Sequence, residues 1–142
     1  MIRNANESDI PRIFEIRGVV HENKLRDPSR VTIEHLRWFI ANPGIFVWDE
    51  DGRIAGFSIA DPRDGSICAL FIDPVYEGRG FGRRLFDRAC SVLRRTGWKR
   101  MWLTTSPGTR AEKFYLKAGW KVTGLEGDQL VFEIQSPCGI LD

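Results

Sequence analysis

The chain has 142 residues, 42% hydrophobic and 28% charged, a common size for one domain with a real core. Its net charge of +2 excludes a whole-surface field that would draw it to nucleic acid or to a membrane, so any electrostatic message must be local. No apolar run approaches the ~18 residues of a membrane span, "MIRNANESDI" carries no signal-peptide core, and Cys68, Cys90 and Cys138 show no CxxC spacing; the expectation is a cytoplasmic protein without a disulfide framework or a metal site.

In chain order, Ile2–Arg3 starts a short strand, and Ser8 and Asp9 mark a helix start. Ile10, Ile13, Phe14, Arg17 and Val20 follow at helical spacing. "HENKLRDPSR" is a polar connector. Thr32 caps a second helix with Leu36, Phe39 and Ile40 on its inner face, and "NPG" stops it. "IFVWDEDGRIAGFSIAD" reads as two strands joined at Asp51–Gly52, a strong hairpin signal. "ICALFID" is apolar on both alternating faces and predicts a central strand.

Phe81 to Thr96 predicts an amphipathic helix, with Leu85, Phe86, Ala89 and Leu93 inward and Arg83, Arg84, Arg88, Arg94 and Arg95 outward. "RMWLTT" is the next strand. "TRAE" reads as a capping box between Thr109 and Glu112, opening a helix with Ala111, Phe114, Tyr115 and Ala118 inward. "WKVTG" and "QLVFEI" are the last two strands. The order is β-α-α-β-β-β-α-β-α-β-β: an α/β (α+β) fold with a mixed, mostly antiparallel sheet of about seven strands and helices on both faces.

Between the central strand and the arginine-rich helix lies "DPVYEGRGFGRRLF", with glycines at 78, 80 and 82. Main-chain N–H groups at a helix start bind anions, and glycine leaves them open to approach. Arg79, Arg83 and Arg84 add charge within reach of phosphate oxygens. A P-loop would need Lys after Gly82, and a GxGxxG fingerprint would need Gly at 83 or 85, which are Arg83 and Leu85. By itself the turn is equally an ordinary tight turn.

The strand "ALFIDP", the glycine turn, the strand "RMWLTT" and the helix "TRAEKFYLKAGW" together resemble the GNAT superfamily of acyl-CoA-dependent N-acyltransferases over at least residues 67–120. Gly80 and Gly82 match the family's signature, while Glu77 stands where it has Gln or Arg, and Gly108 where many members have Asn. The resemblance makes residues 1–142 a single N-acetyltransferase domain. It implies acetyl-CoA as acyl donor, a pyrophosphate held at Gly78, Arg79, Gly80, Phe81, Gly82, Arg83 and Arg84, and a pantetheine arm bonded to backbone groups of Leu70, Phe71 and Asp73. Arg110 is a further candidate for a cofactor phosphate. Tyr115 aligns with the family's general acid, although its spacing alone favours a core tyrosine on the inner face of the helix.

An attacking amine must lose a proton, and the sequence marks no base clearly. Glu22 is the first choice, with His21, Asp61, Asp64 and Asp128 as alternatives. Cys68 and Cys90 read as small core residues, so direct transfer in a ternary complex is the simpler chemistry. The resemblance implies a primary amine of a small molecule or peptide as the acceptor. Homodimers are frequent in the family. The alternative is a non-catalytic CoA-binding or ligand-sensing module on the same fold, which would need no acid or base. The basic helix face lacks the interleaved aromatics of a base-reading surface, so no nucleic-acid partner is expected.

Overall fold

A computed structural model of the chain describes residues 1–19 and 32–135. Glu22, His21 and Cys138 lie outside the described residues. The strands are β1 (Ile2–Asn4), β2 (Ile45–Glu50), β3 (Arg53–Asp61), β4 (Ser66–Ile72), β5 (Arg100–Thr105), β6 (Lys121–Glu126) and β7 (Gln129–Gln135). The helices are α1 (Ile10–Val19), α2 (Ile33–Ala41), α3 (Phe81–Arg95) and α4 (Arg110–Lys117). Among the described residues, the 3-10 turns Glu7–Asp9 and Pro74–Tyr76 are too short to leave a periodic signal in the sequence.

The strands form one sheet in the order β1-β2-β3-β4-β5-β7-β6. Every neighbouring pair is antiparallel except β4 and β5. Helices cover both faces. On one, Ile10, Ile13 and Ile16 of α1 and Leu36 and Phe39 of α2 pack on Val47, Phe57 and Phe71. On the other, Phe86, Ala89 and Leu93 of α3 share a cluster with Tyr115 of α4, Trp120 and Phe132. Phe81 stacks on Trp48 with ring centroids 4.2 Å apart, which anchors the first turn of α3 on the sheet.

Local chemistry sets the helix ends. Thr32 caps α2 by accepting from the His35 amide. The first helical segment is capped by Asn6, not by Ser8, because the Asn6 side chain accepts from the Ser8 amide and the Asp9 carboxylate accepts from the Asn6 amide. "TRAE" forms half of the expected box: Thr109 accepts from the Glu112 amide, but the Glu112 carboxylate reaches the Gly108 amide instead of the cap's own. No helix among the described residues is long and apolar enough to cross a membrane.

Asp9 is buried and also receives both terminal nitrogens of Arg3, at 2.8 and 3.0 Å. Burial alone would raise its pKa, but the Arg3 fork and the Asn6 amide outweigh that and hold the carboxyl below its ordinary value. A depressed folded-state pKa stabilises above the unfolded value of about 3.9, and the gain is lost as pH falls through the folded value. Asp9→Asn should therefore cost about 1–3 kcal/mol at neutral pH, with the gap from wild type closing below about pH 4. Thermal melts of both proteins across pH check this.

Candidate active site

The Pro74–Tyr76 turn and three glycines carry the chain from β4 into α3. Gly78 and Gly80 hold φ of 80° and 82°, a left-handed conformation costly for any residue with a Cβ. Gly80 is the N-cap of α3 and no side chain caps this end. The first-turn amides of a 15-residue helix therefore face outward with the positive end of its dipole behind them. Phe81 is buried against Trp48, so only its backbone serves this end.

The arginines around the turn are differently employed. Arg83 is exposed and pairs with Asp87 one turn on. Arg84 lies over Trp48 and Arg79 over Tyr76, both with heads at the surface. Arg110, at the start of α4, forms a fork with Glu77 at 2.8 and 3.0 Å. The residue that departs from the sequence signature thus ties the glycine turn to α4. An exposed pair of this kind is worth little, about 0–1 kcal/mol, and Arg110 can exchange it for a phosphate.

β4 and β5 share one register pair, Ser66 with Trp102, and no register pair joins them beyond it. The Asp73 amide donates to Ala55 O at 2.9 Å, so Ala55 and Asp73 are a hydrogen-bonded pair of the β3–β4 ladder. Pairs alternate along such a ladder, so Phe71 turns its N–H and C=O toward β3, while Leu70 and Ile72 turn theirs toward the opening. Leu70 keeps the free edge expected of it. Phe71 and Asp73 do not: the Asp73 carbonyl also accepts from the Tyr76 amide at 2.8 Å. Ile72 takes their place, and the sequence could not show it, because the direction of a backbone group depends on the partner strand's register.

The Asp73 side chain has another task. Its carboxylate accepts from the Val75 amide and from Arg12 of α1 at 2.6 Å, while Arg12 Nε donates to Ile54 O. Burial would raise its pKa, but these two donors outweigh it and keep the group ionised. This pair fixes α1 against the end of β4, beside the glycine turn.

A cleft of about 290 Å³ lies on the α3 side of the opening, walled by Leu70, Ile72, Gly78, Gly82, Phe114 and Tyr115, with Glu77 and Arg110 also lining it. Tyr115 is buried among the rings of Phe86, Phe114, Trp120 and Phe132. Its hydroxyl meets no hydrogen-bond acceptor among the described residues. Burial pushes its pKa well above the ordinary phenol value, with the Cys90 thiolate form adding to the effect, so the proton stays on.

On the opposite face, α1, α2 and β3–β5 enclose a second cleft of about 440 Å³. Phe71 lines both clefts. Asp61 and Asp64 belong to this second cleft, but Asp61 gives both oxygens to Arg63, and Asp64 accepts from the Ser66 amide and hydroxyl. Both carboxylates sit beside Ser66, four residues before Leu70, or roughly 13 Å along the strand. Neither can touch a group placed at the Leu70 amide. Asp128 does not line this cleft. Cys68 opens into it and is not a core residue as expected, whereas Cys90 is buried. The protein surrounding Cys68 pushes its thiol up to about 11, which leaves it protonated and a poor nucleophile at neutral pH.

Arg17 and His35 also line this cleft. The sequence placed Arg17 on the inner stripe of α1, and a cation on an apolar stripe is the signal that could have marked it.

Residues 10–120 match the family model described as "Acetyltransferase (GNAT) family". An uncharacterized N-acetyltransferase of Mycobacterium tuberculosis is 33% identical over 78 residues, 52% of this chain and 50% of that protein. The chain spans about half the length of the curated relatives it matches. A putative acetyltransferase of Salmonella typhimurium, solved with acetyl-CoA, superposes with a TM-score of 0.78 at 21% identity, covering 99% of this chain and 95% of that one. The PaiA N-acetyltransferase of Thermoplasma acidophilum, solved with coenzyme A, gives 0.76 at 19% identity, covering 95% and 98%. At these identities the structural matches speak for the fold alone.

Proposed function

Because this chain belongs to the acetyltransferase (GNAT) family, we propose that it transfers the acetyl group of acetyl-CoA to a primary amine of a small molecule or peptide, by direct attack in a ternary complex. One observation carries this reading: the uncapped N-terminus of α3 opens onto a cleft along the unpaired edge of β4. A pyrophosphate suits the first, and an amide-bearing pantetheine arm suits the second.

The residues present fit that donor. The amides of Phe81, Gly82 and Arg83 would take the pyrophosphate, with Arg79, Arg84 and Arg110 supplying charge at the surface. Leu70 and Ile72 offer edge N–H and C=O groups, and the Leu70 amide is the donor that would polarise the thioester carbonyl. When bound, acetyl-CoA supplies an activated acetyl: the acceptor nitrogen gains the N–C bond as the C–S bond breaks, and coenzyme A leaves as a thiol. Tyr115 holds the proton for that sulfur. The same burial that raises the phenol's pKa also disfavours the thiolate, so donor and acceptor stay matched in a dry cleft. The amine's own proton leaves through water in the second cleft, since Asp61 and Asp64 stand roughly 13 Å from the Leu70 amide.

Calorimetry should give micromolar acetyl-CoA affinity, and an amine library should show transfer to at least one member. Affinity weaker than about 1 mM (−4.1 kcal/mol) sinks the CoA site. Tight binding with no transfer to any amine turns the reading into a sensing module.

A further inference from the structure

Arg17 lies on α1, one turn after the fully buried Ile13, and lines the 440 Å³ cleft with Ala69 and Phe71, the neighbours of Leu70. It is only partly exposed, and burial alone lowers its pKa. Among the described residues, no carboxylate or carbonyl pairs with it. The other ion-pairing groups of the cleft, among the described residues, are committed within the fold. Arg63 gives its fork to Asp61 and stacks 3.9 Å over Trp38, and Asp64 holds Ser66. A guanidinium drawn partly out of water without a counter-charge is costly, and an anion brought by a ligand relieves the cost. His35, Cys68 and Thr104 also line the cleft, and the remaining wall is an apolar stretch that includes Ile13, Leu36, Phe39, Phe57 and Ile59.

We infer that the acceptor carries a carboxylate beside its amine and an apolar side chain, so that this cleft takes a free α-amino acid of aliphatic or aromatic type, with its carboxylate on the Arg17 fork. One planar guanidinium matches one carboxylate, and the apolar wall matches the side chain. The inference rests on the transferase reading above. The amino nitrogen, which reaches the cleft neutral after giving its extra proton to water, gains the acetyl carbon from sulfur and loses one further proton to water. The Tyr115 proton goes to sulfur, and water returns one proton to the phenolate. The products are an N-acetyl amino acid and coenzyme A thiol. Polyamines and aminoglycosides, which lack the anion, are poor acceptors on this account.

The test compares leucine and phenylalanine with isoamylamine and phenethylamine, the same molecules without the carboxylate, as acceptors with acetyl-CoA. The wild-type kcat/KM should favour the amino acids by about 30- to 100-fold. In Arg17→Gln the preference should fall to near one, and Arg17→Lys should recover part of it. Arg17→Gln should also melt at the same or a higher temperature, because it removes a charge with no counter-charge among the described residues. A wild type that prefers the plain amines overturns the inference, as does an Arg17→Gln protein that loses both acceptors equally or melts lower. If acetyl-CoA binds and neither series is acetylated, nor any amine of a wider library, the transferase reading itself falls and takes this one with it.

Discussion

Tyr115→Phe should lower kcat by about 100- to 1000-fold, the range of a lost general acid, and leave acetyl-CoA affinity within about twofold. Removing only the hydroxyl keeps the ring among Phe86, Phe114, Trp120 and Phe132, so the packing of α4 on α3 and β7 survives. The hydroxyl has no acceptor among the described residues, so its loss should leave the melting temperature unchanged or slightly raised. Rate, affinity and melting temperature together separate an acid from a core tyrosine: a core residue would leave kcat alone. The pH profile adds a signed expectation. The folded-state pKa of Tyr115 is raised, so the phenol keeps its proton to higher pH than a free tyrosine. The rate should climb as the acceptor amine loses its proton, with no fall caused by Tyr115 between about pH 7 and 10. A steep loss in that range, absent from Tyr115→Phe, would mean that the phenol ionises there and would contradict this environment.

Gly80→Val should weaken acetyl-CoA binding by about 100-fold or more, through two additive costs. The residue sits at φ 82°, where a β-branched side chain is strained by about 1–3 kcal/mol. A Cβ at Gly80 meets no protein atom within 4 Å, so the side chain would stand in the open space before the first-turn amides. There it would block a phosphate from the only uncapped N–H groups of α3. The melting temperature should fall by roughly 3–8 °C from strain alone. Gly82→Ala provides the contrast. Its Cβ would rest 3.4 Å from the Ile72 side chain, an ordinary contact, and its φ is not left-handed. It should bind acetyl-CoA far better than Gly80→Val does. Calorimetry on the two variants decides, and equal losses would show that the phosphates are held elsewhere.

The two variants probe sites of different legibility. Gly80 could be read from the sequence, because a glycine turn between a buried strand and a helix start is a local pattern. Tyr115 could be placed on an inner helical face by spacing, but its position on a cleft wall depends on α4 meeting β4 across the sheet. Asp51 and Gly52, with φ of 52° and 90°, make the hairpin turn that the Asp-Gly pair announced. The base candidates fared otherwise. Asp61 and Asp64 come together in one cleft, yet each is held by the residue two positions on, Arg63 and Ser66, an Asx-turn spacing that was local enough to be read from the sequence.

The sequence by itself determined the order of elements, most of their ends and the anion-binding turn. Those depend on periodicity, capping and glycine geometry, which act over a few residues. Only the tertiary structure decided that β4 and β5 part after a single register pair, that Leu70 and Ile72 rather than Phe71 and Asp73 face the opening, and that Arg17 reaches the cleft with no counter-charge among the described residues. Each of these follows from what a distant segment supplies or withholds. A strand edge is free, or a charge unpaired, only by comparison with partners that the chain brings back from far along its length.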